Sequence, residues 1–362
     1  MTLKLWLEHP DIGIASPLVT AGTIAHDIDY YPRASLRATI RPDPDGIPLW
    51  ATPFGTRAYV GDAATGALVF SGDVVSSTVS RPEGGWEVHA SDDSNRMAHA
   101  RIDDRPQYLA PGVVDVATFI RDLASHVGVS VSVGGDGLGS VDTRALDLGG
   151  KNAWALVEEQ LTANGLDVAV GGDSLLTVQP LPAIKDVPDA DLRVGESGTI
   201  TGYLLSMSRR YNRVALAHRA QKQGEDDRYV VGVWEDRQSL SGVQAIGPIT
   251  HTETTRVGED WWDDPAGHQA QADHNAAMLA SAVGGTSRTA TINAVPDETL
   301  RPGMTVQVTF LGGRADRFLI HSVALPLERG GQMTVGCQNP EPDWAGASLL
   351  RTTRRPRARH HT

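Results

Sequence analysis

The residues best suited to chemistry form one acidic, aromatic segment. Residues 259–264 read Glu-Asp-Trp-Trp-Asp-Asp, a composition found in glycosidase carboxylate pairs, calcium loops and sugar-stacking surfaces. Adjacency in sequence does not give the carboxylate separation that a glycosidase needs, and the ligand spacing of an EF-hand loop is absent. We therefore predict a subunit-contact loop with Trp261 and Trp262 as anchors beside Asp263 and Asp264, and sugar binding is the alternative.

Three potential metal ligands, His268, Asp273 and His274, lie in an alanine-rich segment. The two histidines are six residues apart, which places them on opposite sides of a helix, whereas a zinc-binding pair needs a spacing of four. The glycine-rich run 134–139 lacks the Lys-Ser/Thr of a phosphate loop, and no Gly-x-Ser-x-Gly elbow occurs. The single cysteine, Cys337, is expected to be buried. The sequence predicts no catalytic, cofactor-binding or metal residues, and no cofactor.

The charge is unevenly distributed. The net charge is −12, yet the last twelve residues hold five arginines, among them Arg354, Arg355, Arg357 and Arg359. The rest of the chain has 27 basic against 44 acidic residues and would repel nucleic acid and anionic membranes. We predict a basic, flexible tail, with phosphate contact or docking on an acidic neighbour as the alternatives.

Two smaller observations concern acids and membranes. The pairs Asp92-Asp93 and Asp103-Asp104 fall near predicted strand ends and are expected to be solvated turns. No apolar run approaches the roughly 18–20 residues of a membrane helix, so no membrane-spanning segment is predicted.

The elements that would position these residues include a repeated β-module. Gly55 and Phe70 are fifteen residues apart, as are Gly303 and Phe318, and each pair encloses an alternating strand and a glycine-rich turn. We predict that the two segments are matching hairpins with Phe70 and Phe318 in equivalent core positions.

The pattern along the chain predicts a mainly β protein with an α+β insert, in which two related β-barrel domains accompany a small α+β domain. We expect a first barrel over 1–108, the insert over 109–183, and a second barrel over 184–345 with one helix at about 265–283. Residues 346–362 form the basic tail.

The insert carries the clearest local signals. Asp115 is predicted to cap a first helix that ends at Gly128, and Asn152 to cap a second helix whose Trp154 faces inward. A hairpin is expected to follow over 166–178.

The order of these parts resembles the hub proteins of phage tails and contractile injection machines, including the late control protein D family. The resemblance covers roughly residues 30–340 and rests on five ordered segments, 70–93, 115–133, 152–166, 209–214 and the alanine-rich helix with 300–306. The sequence departs from the family pattern at Met304, where Asp is frequent. It also stops soon after the second barrel, so the resemblance does not imply a tail-tip enzyme.

The resemblance implies a structural, non-enzymatic virion protein at the tail tip, assembled in the host cytoplasm. It implies a homotrimer whose two barrels per chain give six similar positions, joining a sixfold tail-tube or distal tail protein ring to threefold tip, fibre or spike proteins. DNA would pass through a channel whose acidic wall does not hold phosphates. Two alternatives stay open: a tail-tip protein that binds or cleaves glycans, and a spike-carrier hub of a contractile secretion machine.

Overall fold

A computed structural model describes most of the chain. The described residues are 3–11, 13–28, 31–41, 55–79, 85–102, 109, 112–134, 140–143, 150–163, 166–180, 182–195, 199–209, 211–220, 222, 225–236, 244, 247–257, 260–283, 286–310, 313 and 315–340. The basic tail and the pair Asp103-Asp104 lie outside them. Apart from the residues after Cys337, the chain forms a large unit, Met1–Leu204 with Ala290–Cys337, and a small unit, Leu205–Thr289.

The described chain is mostly β-structure. Its strands are β1 Leu3–His9, β2 Gly13–Ala15, β3 Leu18–Asp27, β4 Ala34–Arg41, β5 Arg57–Asp62, β6 Leu68–Val79, β7 Trp86–Ser91, β8 Val113–Asp115, β9 Val131–Val133, β10 Ser140–Asp142, β11 Leu166–Val170, β12 Leu176–Pro180, β13 Ala190–Arg193, β14 Ile200–Arg209, β15 Arg213–Ala220, β16 Arg228–Glu235, β17 Thr250–Val257, β18 Thr286–Ala294, β19 Thr305–Thr309, β20 Ala315–Pro326 and β21 Met333–Pro340. Its helices are α1 Ser94–His99, α2 Val116–His126, α3 Ala153–Ala163, α4 Asp260–Asp263 and α5 Gln269–Val283.

Thirteen strands form one sheet in which the same strand order occurs twice. The sheet runs β14-β18-β21-β20-β3-β4-β7-β6-β5-β1-β2, with β19 beside β20 and β13 beside β19. The run β3-β4-β7-β6-β5 is the first repeat, and the run β14-β18-β21-β20-β19 is the second repeat. When the five strands of each repeat are numbered in the order in which they occur along the chain, both repeats place them side by side in the sheet as 1-2-5-4-3.

The mainly β class with an α+β insert is confirmed. Within the described residues, an isolated bridge joins Val194, directly after β13, to Ile200 of β14, but no ladder of paired strands closes either repeat on itself. Closure into barrels and the domain boundaries at 108, 183 and 345 therefore stay predictions. Contacts divide the chain at 204 and 289, both inside the predicted second barrel.

The repeated hairpins differ in register. Gly55 and Gly303 both have positive φ, at 90° and 91°, a conformation that glycine adopts without strain. Phe70 lies opposite the fifth residue after Gly55, whereas Phe318 lies opposite the third residue after Gly303. Both phenylalanines are nevertheless buried, because a shift of two residues keeps a strand side chain on the same face. Their core positions are similar in burial but two residues apart in register.

A single hydrophobic cluster runs through both repeats. It includes Trp86 and Phe70 from the first repeat and Phe318 and Met333 from the second. Cys337 is buried in the same cluster, as predicted, and burial raises the pKa of its thiol to about 12. The two repeats therefore share one core.

The predicted elements of the insert are confirmed. Asp115 caps α2 by accepting a hydrogen bond from the Thr118 amide at 2.8 Å, and Gly128 follows the helix with positive φ. Asn152 caps α3 through a 2.7 Å bond from the Ala155 amide. Strands β11 and β12 form the expected hairpin, with β9 parallel to β12. The insert core also contains Met97, which the sequence assigned to the first barrel.

The small unit contains the three-stranded sheet β16-β15-β17 with α5 against it. A β-carbon on Gly232 of β16 would lie 1.9 Å from the Ala272 carbonyl oxygen of α5, so only glycine allows this approach. Helix α5 begins at Gln269 rather than at the predicted Pro265. The preceding residues form turns, and the Asp264 carboxylate accepts the Gly267 amide at 2.9 Å. None of the described helices is both long and apolar enough to cross a membrane.

Candidate functional site

The predicted contact loop forms α4 and the turn after it in the small unit. The Trp261 indole stacks on the His218 ring at a centroid distance of 4.7 Å and on the His268 ring at 4.5 Å, with interplanar angles of 16° and 10°. His218, on β15, is 1% exposed and lies 3.0 Å from the Asn275 side chain of α5. Burial lowers the pKa of His218, which favours its neutral form at neutral pH.

Trp262 also makes its contacts within the chain, through two cations and a hydrogen bond. The Arg228 guanidinium lies 3.8 Å from the centroid of the Trp262 ring, and the Lys222 amine lies 4.9 Å from it. The indole Nε1 donates to the Asp226 carbonyl at 2.9 Å. Lys222 also binds the Asp263 carboxylate at 2.6 Å. The two tryptophans and Asp263 thus attach α4 to the small unit.

These contacts within the chain account for the positions of Trp261, Trp262 and Asp263 without a contact to another molecule. Whether the remaining surface of the loop also binds a subunit or a glycan stays a prediction. His268 stacks on Trp261, and the Asp273 carboxylate accepts the Val233 amide at 3.1 Å, so neither is placed as a metal ligand. Among the described residues there is no cluster of three or more potential metal-binding side chains.

A substitution distinguishes an internal role of Trp261 from a purely external one. Trp261→Ala is expected to lower the free energy of unfolding by about 2 kcal/mol, because it removes a half-buried ring and two stacking contacts. The measurement is urea denaturation followed by circular dichroism. Tyr229→Ala is the control, since Tyr229 is 54% exposed in the same unit and should change stability little. Equal, small effects would mean that the stacking of Trp261 on the two histidines does not stabilise the small unit.

The first acid pair is not a solvated turn, which corrects the sequence prediction. Asp92 and Asp93 are 1% and 7% exposed. Asp92 accepts hydrogen bonds from the Ala34 and Ser94 amides, and burial raises its pKa to about 6. Asp93 receives two hydrogen bonds of 3.0 Å from the Arg57 guanidinium. These acids are structural, because they connect the start of α1 to the sheet.

A cavity in the large unit, lined by both apolar and charged residues, was not predicted. It has a volume of about 290 Å³, and its lining includes His26, Asp27, Arg33, Asp167 and Arg301. Burial, with a smaller contribution from Arg301, lowers the pKa of His26 to about 3, so the cavity contains a neutral imidazole. The lining comes from distant parts of the sequence, which is why no local motif indicates it.

The fold, with its two like β-repeats, shared core and α+β insert, is that of phage tail proteins, and it confirms the resemblance at the level of fold. A solved tail protein from Neisseria meningitidis superposes with a TM-score of 0.63 at 17% identity, covering 96% of this chain and 99% of that one. A 43 kDa prophage tail protein from Shewanella oneidensis gives 0.62 at 12% identity, covering 96% and 99%. A prophage tail protein from Listeria monocytogenes gives 0.57 at 9% identity, covering 97% and 98%. No family model matches the sequence, and no curated protein matches it significantly.

Proposed function

We propose that the chain is a structural hub of a phage tail tip and assembles as a homotrimer in the virion. The observation that supports this most is the duplicated strand order, in a fold shared with prophage tail proteins. Three chains would supply six similar repeats. Such a ring can contact a sixfold tail-tube or distal tail ring on one side and threefold tip, fibre or spike proteins on the other.

The charge supports passage of DNA rather than binding of DNA. The chain outside its last twelve residues has 27 basic against 44 acidic residues, and a wall of that sign does not retain phosphates. We propose that the ring lines the DNA channel and that it assembles in the host cytoplasm before joining the tail. This role is structural and needs no catalytic residue.

Of the two other candidates, a spike-carrier hub of a secretion machine would use the same ring. The glycan alternative has less support, because both rings of the Trp261–Trp262 pair already contact side chains of their own chain.

Electron microscopy of the purified chain tests the proposal. We expect closed rings of three chains, with threefold averages that show six similar lobes, and a mass in solution three times that of the chain. Antibody labelling of the corresponding virion should mark the tail tip. Tails labelled along their length, or a tail that assembles without this chain, would contradict a hub.

A further inference from the structure

The two repeats meet along one seam inside the chain. The first half of β20 pairs with β19, and its second half, Ser322 to Pro326, pairs antiparallel with β3. In this seam Leu325 lies opposite Ile24, and both side chains are fully buried. The fourth strand of the second repeat is thus joined to the first strand of the first repeat.

The matching seam would join the fourth strand of the first repeat to the first strand of the second repeat. This pairing does not occur among the described residues. The fourth strand of the first repeat is β6, which has twelve residues like β20. Its first half pairs with β5, but no described strand pairs with its second half on that side, and Val75 is 46% exposed. The first strand of the second repeat is β14, whose only described partner strand is β18; apart from β18, only its first residue, Ile200, forms a bridge, with Val194. On β14, Leu204 and Leu205 are 65% and 45% exposed.

Register identifies the residue of β14 that corresponds to Ile24. In the first repeat, Gly22 lies opposite Ala38 and Ile24 opposite Leu36. In the second repeat, the Val295 amide donates to the Thr199 carbonyl at 2.8 Å, and continuing this antiparallel register places Gly202 opposite Ile292 and Leu204 opposite Ala290.

Each of the two strands contains one glycine, and aligning the strands at it makes Gly202 the counterpart of Gly22 and Leu204 the counterpart of Ile24. In both strands these residues lie opposite buried residues of the next strand. The two counterparts differ in burial: Ile24, on the strand to which β20 adds, is fully buried, whereas Leu204, which has no such neighbouring strand among the described residues, is 65% exposed.

The other strand of the seam is matched in the same way. Asp73 lies opposite the second residue after Gly55, and Leu319 lies opposite the second residue after Gly303. Asp73 therefore corresponds to Leu319. Beyond them β6 has a bulge between Val74 and Ser76, and β20 shifts in the same place, since its buried positions move from Ile320 to Val323. Counting on through both irregularities, Thr78 corresponds to Ala324. In the existing seam Ala324 lies opposite Ala25, whose counterpart on β14 is Leu205.

We propose that β14 of one copy pairs antiparallel with the second half of β6 in a second copy, with Leu205 opposite Thr78. This inference rests on the proposed trimer and adds which strands form its interface. Each chain would contribute one internal seam and one seam to its neighbour, so that three chains close a ring of six repeats with six similar seams. Exposed edge strands pair in this way through backbone hydrogen bonds. Polar Ser76 and Thr78 keep the open edge of β6 compatible with water before assembly.

Disulfide trapping in the full-length chain tests the pairing. Opposed residues of an antiparallel pair are close enough for a disulfide, and the native Cys337 is 2% exposed and does not compete. The variant Thr78→Cys/Leu205→Cys is expected to give cross-linked dimers and trimers on oxidation, ending at a closed trimer. The control Thr78→Cys/Val231→Cys, with Val231 43% exposed on β16, should not.

Mixing the two single variants shows whether the bond joins different chains. When Thr78→Cys and Leu205→Cys are oxidised separately, neither should form the disulfide between positions 78 and 205. Their mixture should give a dimer with one cysteine from each variant. A disulfide within one chain in the double variant, and none in the mixture, would overturn the interface between copies.

The interface and the hub proposal fail in different ways. Wild-type trimers by mass without cross-linking of the 78–205 pair would overturn this seam and leave the hub standing. Cross-linked rings from a chain that labels no virion tail tip would support the seam and overturn the hub. A chain that stays monomeric over a concentration series, without cross-links, would overturn the seam.

Discussion

Asp167→Ala is expected to lower the free energy of unfolding by about 3–5 kcal/mol, because it removes the acid paired with a buried guanidinium. Arg33 and Asp167 are 6% and 1% exposed, and the guanidinium Nη2 lies 3.3 Å from the carboxylate Oδ1. Arg33 directly precedes β4, and Asp167 lies on β11, so the pair connects the sheet to the insert within the large unit. Urea denaturation followed by tryptophan fluorescence measures the change.

Two controls separate burial from charge. Glu87→Ala breaks the exposed pair with Arg37 and should cost less than about 1 kcal/mol. The double variant Arg33→Leu/Asp167→Leu removes both charges and should recover much of the lost stability. If Asp167→Ala lowers the free energy of unfolding no more than Glu87→Ala does, the buried pair does not stabilise the contact between the sheet and the insert.

Gly232→Ala is expected to destabilise the small unit by about 3 kcal/mol, near the upper end for overpacking. The added methyl would lie 1.9 Å from the Ala272 carbonyl oxygen, a backbone atom that moves only if α5 moves away from β16. Hydrogen exchange should report the loss as faster exchange in β15, β16 and α5, with little change in β3 to β7 of the large unit.

Gly134→Ala is the matched control, since a β-carbon there would meet nothing within 4 Å. Its stability should stay within about 0.5 kcal/mol of the wild type. If both variants behave alike, the contact between β16 and α5 is looser than the structure indicates.

Local signals predicted the parts of this fold whose contacts are local. The caps at Asp115 and Asn152 each involve a residue three positions along the chain, and both were found as expected. The repeat was visible because Gly55 and Gly303 mark the same turn in two places. The sequence did not indicate that the repeats share one core, because that depends on pairing residues 23–27 with residues 322–326.

The same limit applies to the site. The aromatic segment was recognised, but its partners His218 and Arg228 come from β15 and β16, well before it in the chain. No spacing rule connects such positions. The burial of Asp92 was missed for a related reason, because the Ala34 amide that binds it lies on another strand.

The two repeats differ most in what separates their first two strands. In the first repeat β3 and β4 are joined by residues 28–33, whereas in the second repeat the chain leaves after β14, forms nearly all of the small unit, and returns at β18. A ring of three such chains would have a large insertion at every second repeat. One chain would thereby encode both symmetries: similar strands repeated six times would meet a sixfold tube, and insertions repeated three times would offer attachment points that only a threefold tip can occupy together.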